Sequence, residues 1–161
     1  MQRRTLIAGA ALVGAAPYLA ARARAAEPPI AERFAAALSA HDLDQFAALF
    51  AEDYVNHQVS AAAPPRPPGV TPKAATVAFF AARLKAMPDL KVTIETSLAE
   101  ADKVAASSAY EGLQTGPYYG FEPTGKRLFF TSCDIFRLAD GKIVEHWGMG
   151  DIAGIVAQLK G

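Results

Sequence analysis

Residues 134–151 read Asp-Ile-Phe-Arg-Leu-Ala-Asp-Gly-Lys-Ile-Val-Glu-His-Trp-Gly-Met-Gly-Asp, and no other stretch narrows the choice of fold so far. Asp140-Gly141 between two runs of alternating apolar residues is a strong hairpin signal, because glycine takes positive φ at no steric cost. Asp134 lies in the first run and His146 in the second. Polar groups inside an apolar sheet need partners or a wet cavity, so the two point to the wall of a pocket. Whether they meet depends on the turn. A three-residue loop, Ala139-Asp140-Gly141, sets His146 opposite Asp134, whereas a two-residue loop sets Trp147 there and turns His146 to the other face.

Upstream, the periodicity changes once. Ile30, Phe34 and Leu38 recur at a spacing of four, which predicts a helix over 29–40. Asp42 can cap a second helix carrying Leu43, Phe46, Leu49 and Phe50, with Asn56 and His57 just past its end. Residues 60–72 hold five prolines and a glycine, so they form a loop, either a plain connector or a cover for a pocket mouth. A third helix is expected over 72–86, with Val77, Phe80, Leu84 and Met87 on one side and Pro88-Asp89 as its stop. From Leu90 onward the period is two. Strands follow at about 90–98, 103–112, 127–138 and 142–149, with Ala101-Asp102 as a turn, and 152–160 has the spacing of a short helix. Helices first and an antiparallel meander after them read as one α+β domain, with three N-terminal helices packed on a curved sheet that encloses a pocket.

The chain of 161 residues suits a single domain. Arg3, Arg4, Arg22 and Arg24 fall in the first 25 positions with no acid among them, so the remainder carries 12 basic and 16 acidic residues. A mildly acidic domain without a basic run gives no electrostatic reason to bind nucleic acid. Residues 1–25 combine an Arg3-Arg4 start, an apolar stretch from Leu6 to Ala21 and Ala23-Arg24-Ala25 before the expected cleavage point. This is the pattern of a secretory signal peptide, closer to the twin-arginine than to the general type. Its apolar stretch is too short to stay as a membrane span. The domain at 26–161 is therefore expected to be periplasmic or secreted, with no stable membrane insertion. Cys133 is the only cysteine, and in mid-strand it is expected to be a buried packing residue.

Several segments together resemble the SnoaL-like polyketide cyclase, or ester cyclase, family of the nuclear transport factor 2-like superfamily. They are Phe50-Ala-Glu-Asp-Tyr-Val-Asn-His57, Met87-Pro-Asp-Leu90, Pro123-Thr-Gly-Lys126, Asp134-Ile-Phe-Arg137, Asp140-Gly-Lys-Ile-Val-Glu-His-Trp147 and the C-terminal Asp151, Gln158-Leu159 and Gly161. The resemblance implies a cone-shaped α+β fold, a homodimer through the open sheet face, and ring-closing chemistry without metal or cofactor. In that family an Asp just beyond the His-Trp position takes a proton from carbon next to a carbonyl, helped by a His on the preceding strand and an Asn after the second helix. Carried over, the Asn is Asn56, the helper position is Asp134, and the base position is Gly148. The Gly-Thr-His or Arg-His usual after the middle strand reads Gly112-Leu-Gln114 here.

Glycine cannot take a proton, so the catalytic candidates shift to Asp134 as base and His146 as its partner. Asp134 shares a strand face with Phe130, Ser132 and Phe136, an apolar setting suited to general acid–base work. Asn56 is a candidate for polarising a substrate carbonyl, although it could equally cap a helix end. Gln114, Tyr118, Tyr119 and Phe136 are candidate ligand contacts. A structural Asp–His hydrogen bond is the competing reading of the pair. His41, His57 and His146 lack metal-binding spacing, and no serine-nucleophile elbow occurs, so no metal or cofactor is expected. Two functions stay open: a cofactor-independent cyclase or isomerase acting on a small carbonyl compound, and a non-catalytic binder of a lipophilic small molecule.

Overall fold

A computed structural model of the chain describes residues 28–58 and 65–161. The expected signal peptide and part of the proline-rich loop lie outside the described residues. The elements run α1 (Ile30–Ser39), α2 (Leu43–Ala48), β1 (Phe50–Asn56), α3 (Pro72–Ala86), β2 (Lys91–Glu100), β3 (Lys103–Leu113), β4 (Arg127–Ala139), β5 (Lys142–Gly150) and α4 (Ile152–Lys160). All four expected helices are present, and local chemistry sets their ends. Asp42 accepts from the Gln45 amide at 2.8 Å, Thr71 from Ala74 at 3.1 Å with Pro72 in the first turn, and Asp151 from Gly154 at 2.8 Å. Each side chain satisfies an amide that the first helical turn leaves orphaned.

The five strands form one curved, open sheet in the order β1-β5-β4-β3-β2. Pairing is antiparallel from β2 to β5, as the meander predicts, but β1 runs parallel to β5. This strand was not expected. Residues 50–56 continue the sequence of α2 without a turn signal, and they become a strand only because the edge of β5 is there to pair with. Asn56 therefore ends a strand rather than following a helix.

The inner sheet face and the helices share one core. Phe34, Phe46, Phe50, Phe80 and Phe136 meet with ring centroids 4.8 to 5.4 Å apart, mostly tilted or edge to face, the arrangement aromatic quadrupoles favour. The outer face of β4 is open, and Cys133 lies on it. The expected burial of this cysteine is incorrect: the inward positions of β4 are Leu128, Phe130, Asp134 and Phe136, so alternation turns residue 133 out.

The hairpin follows neither of the two expected registers. Its loop has two residues, Asp140 (φ 49) and Gly141 (φ 71), with Ala139 paired to Lys142. Pairing then slips: Leu138 faces Ile143 but Arg137 faces Glu145, leaving Val144 as the extra residue of a bulge. One added residue reverses the facing of everything beyond it. His146 thus returns to the inner face, opposite Phe136, and Gly148 stands opposite Asp134.

Candidate active site

Asp134 and His146 are both buried, at 7% and 2% exposure, and Nε2 of His146 lies 2.8 Å from Oδ1 of Asp134. The contact is diagonal across the hairpin. Gly148 makes it possible, because a Cβ there would come within 2.6 Å of Asp134 Oδ1 and 2.7 Å of His146 Nε2. The carboxylate therefore fills the space that a side chain at 148 would need.

A chain of polar groups continues from the pair on both sides. Ser132 donates to Asp134 Oδ2 at 2.7 Å. Tyr54, the inward residue near the end of β1, places its hydroxyl 3.2 Å from His146 Nδ1, and Thr76 of α3 donates to that hydroxyl at 3.5 Å. Asn56 Nδ2 donates to Thr76 at 3.3 Å. One proton assignment satisfies every link: Nε2–H donates to the carboxylate, which leaves neutral Nδ1 to accept from the phenol. Burial pushes the Tyr54 phenol up to about 12, so it remains a donor. Among the described residues no buried side-chain nitrogen or oxygen lacks a partner. The arrangement fixes Asp134 in position while leaving spare lone pairs on its two oxygens.

The other expected site residues divide. Phe136 packs beside the His146 ring, with centroids 5.1 Å apart. Tyr118 is buried and accepts from Nε of Arg83 at 2.9 Å. Asn56 is exposed, and its Oδ1 accepts from the Gln58 amide at 2.9 Å, so it anchors the polar chain instead of facing the interior. Gln114 corrects the expectation of a ligand contact. It is fully buried and staples the 114–126 loop, donating to the Gly116 and Glu122 carbonyls and accepting from the amide and hydroxyl of Thr124. Its amide is already committed at both ends. Trp147 faces away from the pair and stacks on His57 at 4.5 Å, while His57 pairs with Glu145 at 2.6 Å.

Sequence reasoning missed Arg83. It lies on α3 with Thr76 and Phe80, the buried stripe, and is itself only 7% exposed. Its guanidinium carbon sits 4.9 to 5.2 Å from the ring centroids of Phe79, Phe80, Tyr110 and Phe130. Its one hydrogen bond is to neutral Tyr118, and among the described residues no carboxylate pairs with it. Each cation–π contact is worth about 0.5–2 kcal/mol, whereas desolvating an ion costs several. The signal was present: Thr76 and Arg83, seven residues apart, are polar residues on the core-facing stripe of an amphipathic helix. Two surface hollows, around Glu52, Lys73 and Val77 and around Glu32, Arg33 and Gln45, are lined by neither Asp134, His146 nor Arg83.

A curved, unclosed sheet with helices on its inner face, holding a buried carboxylate–imidazole pair, defines an α+β protein of the nuclear transport factor 2 and ketosteroid isomerase type. The chain belongs to the SnoaL-like polyketide cyclase family, whose model matches residues 29–159. Among solved structures it resembles IdmH of Streptomyces antibioticus, described as a candidate polyketide cyclase, at 27% identity and a TM-score of 0.71, covering 82% of this chain and 96% of that one. AclR of Streptomyces galilaeus, described as a candidate hydroxylase, matches at 27% identity and a TM-score of 0.69, covering 81% and 92%. A protein from Catenulispora acidiphila with a ketosteroid isomerase-like fold, in complex with trimethylamine, shares the fold at 20% identity and a TM-score of 0.63, covering 83% and 93%. No curated protein matches the chain.

Proposed function

We propose that this protein is a cofactor-independent acid–base enzyme of the cyclase or isomerase type, acting on a small carbonyl compound. One observation carries the reading. The family places its base at the position of Gly148, and Asp134 fills the side-chain space of that residue from the facing strand. The carboxylate is delivered to the same region from β4 instead of β5. In the reaction, Asp134 takes a proton from carbon next to the carbonyl, and the electron pair of that C–H bond passes into an enolate. For an isomerisation the proton returns at another carbon. For a ring closure the enolate carbon attacks a second carbonyl, and the resulting alkoxide takes the proton back. His146 holds Oδ1 and orients the carboxylate.

The reading is tested by α-proton exchange of 2-tetralone in D2O, followed by proton NMR. The wild-type protein should accelerate exchange, and Asp134→Asn should lose the acceleration by about 10²-fold or more. Equal exchange by both proteins rules out Asp134 as the base. Saturable binding of the ketone with no exchange supports the alternative, a non-catalytic binder, which the full set of partners around the pair also favours.

Two further features complete the proposal. The arginine-rich start and apolar stretch of residues 1–25 support export, which cell fractionation checks. The open outer face, with Leu98, Phe129 and Met149 at 74%, 55% and 78% exposure, supports a homodimer, which sedimentation velocity checks.

A further inference from the structure

We infer that Arg83 is an anion-recognition residue, and that the molecule bound beside Asp134 is a flat, largely apolar compound carrying a carboxylate. This deepens the reading above and rests on it only for the location of the reacting carbon.

Arg83 is more than nine-tenths buried, and one of the five N–H donors of its guanidinium is used, by Tyr118. Among the described residues neither Nη atom has an acceptor. Since no fully buried side-chain nitrogen lacks a partner among the described residues, these two atoms are not completely sealed. A planar fork with two adjacent unfilled nitrogens matches the two oxygens of a carboxylate. The surrounding rings define the rest of the ligand. Tyr110 and Phe130 stack in parallel with centroids 5.1 Å apart, and Phe80 and Phe79 close the other sides. Phe79 is the exposed one of the four, at 42%, so an approach from solvent passes this ring.

Arg83 and Asp134 serve one ligand by their placement. Phe130, beneath the guanidinium, and Asp134 lie on the same face of β4 four residues apart, about 13 Å of strand. That interval suits a bicyclic body with an acid group at one end and a carbonyl-activated carbon at the other. The charge logic is consistent, because a ligand carboxylate next to Asp134 would be repelled. Held at Arg83, it keeps its distance and neutralises a buried cation that has no counter-ion among the described residues.

The test is isothermal titration with 2-naphthoate and its neutral counterpart 2-naphthamide. The wild-type protein should bind the acid at least about 10-fold tighter than the amide. Arg83→Met should erase that preference by weakening the acid far more than the amide, and Arg83→Lys, which keeps the charge but loses the fork, should retain part of it. If Arg83→Met does not fold, as judged by circular dichroism, the wild-type ratio and Arg83→Lys decide. No binding of the acid, equal binding of acid and amide, or a preference unchanged in a folded Arg83 variant overturns the inference. Asp134→Asn should bind 2-naphthoate at least as tightly as wild type, since it removes a negative charge from the site. Acid preference without α-proton exchange therefore leaves this inference standing and removes the enzyme reading. Exchange without acid preference does the reverse.

Discussion

A Cβ added at Gly148 would lie 2.6 Å from Oδ1 of Asp134, closer than real side chains approach an oxygen. The two positions compete for one volume. Gly148→Ala should therefore cost about 1–3 kcal/mol, the usual penalty for overpacking a filled site. In the double variant Asp134→Ala, Gly148→Ala the clash with Oδ1 is gone, and the His146 ring, 2.7 Å from the added methyl, can shift into the vacated space. Its cost should fall short of the sum of the single effects by at least about 1 kcal/mol. Urea denaturation of the four proteins measures this, and additivity within about 0.5 kcal/mol would show that the residues do not compete. At this scale Asp134 and His146 were readable, because a polar residue on the core face of a strand demands an explanation. Arg83 carried the same signal on α3, but its apolar neighbours Val77, Phe80 and Leu84 already accounted for the helix and masked it. The Tyr54–Thr76 contact escaped for a different reason: it comes from packing α3 against β1, which no local pattern encodes.

At the scale of elements, the hairpin shows what a turn fixes and what it leaves open. Asp140-Gly141 was legible as a turn, but the side on which His146 falls was not. That side depends on the bulge at Val144, which arises where β5 is paired to β1 on one edge and β4 on the other. Two turns with opposite chemistry supply a test. Gly141 holds φ 71, which a β-branched residue resists, so Gly141→Val should destabilise the fold by about 1–3 kcal/mol. Ala101, in the β2–β3 turn, holds φ 50 with a Cβ in place. Ala101→Gly should be stabilising by about 0.5–1 kcal/mol, because relief of the left-handed strain of roughly 1–2 kcal/mol outweighs the added chain entropy. Thermal melts should move in opposite directions; a shift of both in the same direction would contradict this account. The helices were the most legible elements, since caps such as Asp42 and Thr71 are local and their partners lie three residues away.

For the molecule as a whole, the aromatic interior makes stability depend on alkaline pH. Burial raises the Tyr54 and Tyr110 phenols from the usual 10 to about 12. Below pH 10 the folded and unfolded chains both hold these protons, and the phenols add no pH dependence. Between about 10 and 12 the unfolded chain releases protons that the folded chain keeps, so stability falls as pH rises. Above 12 both states ionise and the slope flattens. A two-unit shift corresponds to at most about 2–3 kcal/mol for each phenol. Urea midpoints taken at pH 9, 10 and 11 should therefore decline, and Tyr54→Phe should reduce the decline in part, with Tyr110 and Tyr118, whose phenols are also pushed up by burial, carrying the rest. Absorbance at 295 nm gives an independent reading, with Tyr54 and Tyr110 ionising only near the alkaline limit. If Tyr54→Phe leaves the slope as in wild type, then the phenol is open to hydroxide in the folded chain. The hydroxyl would then not be the sealed donor that holds His146 in the tautomer needed to orient Asp134.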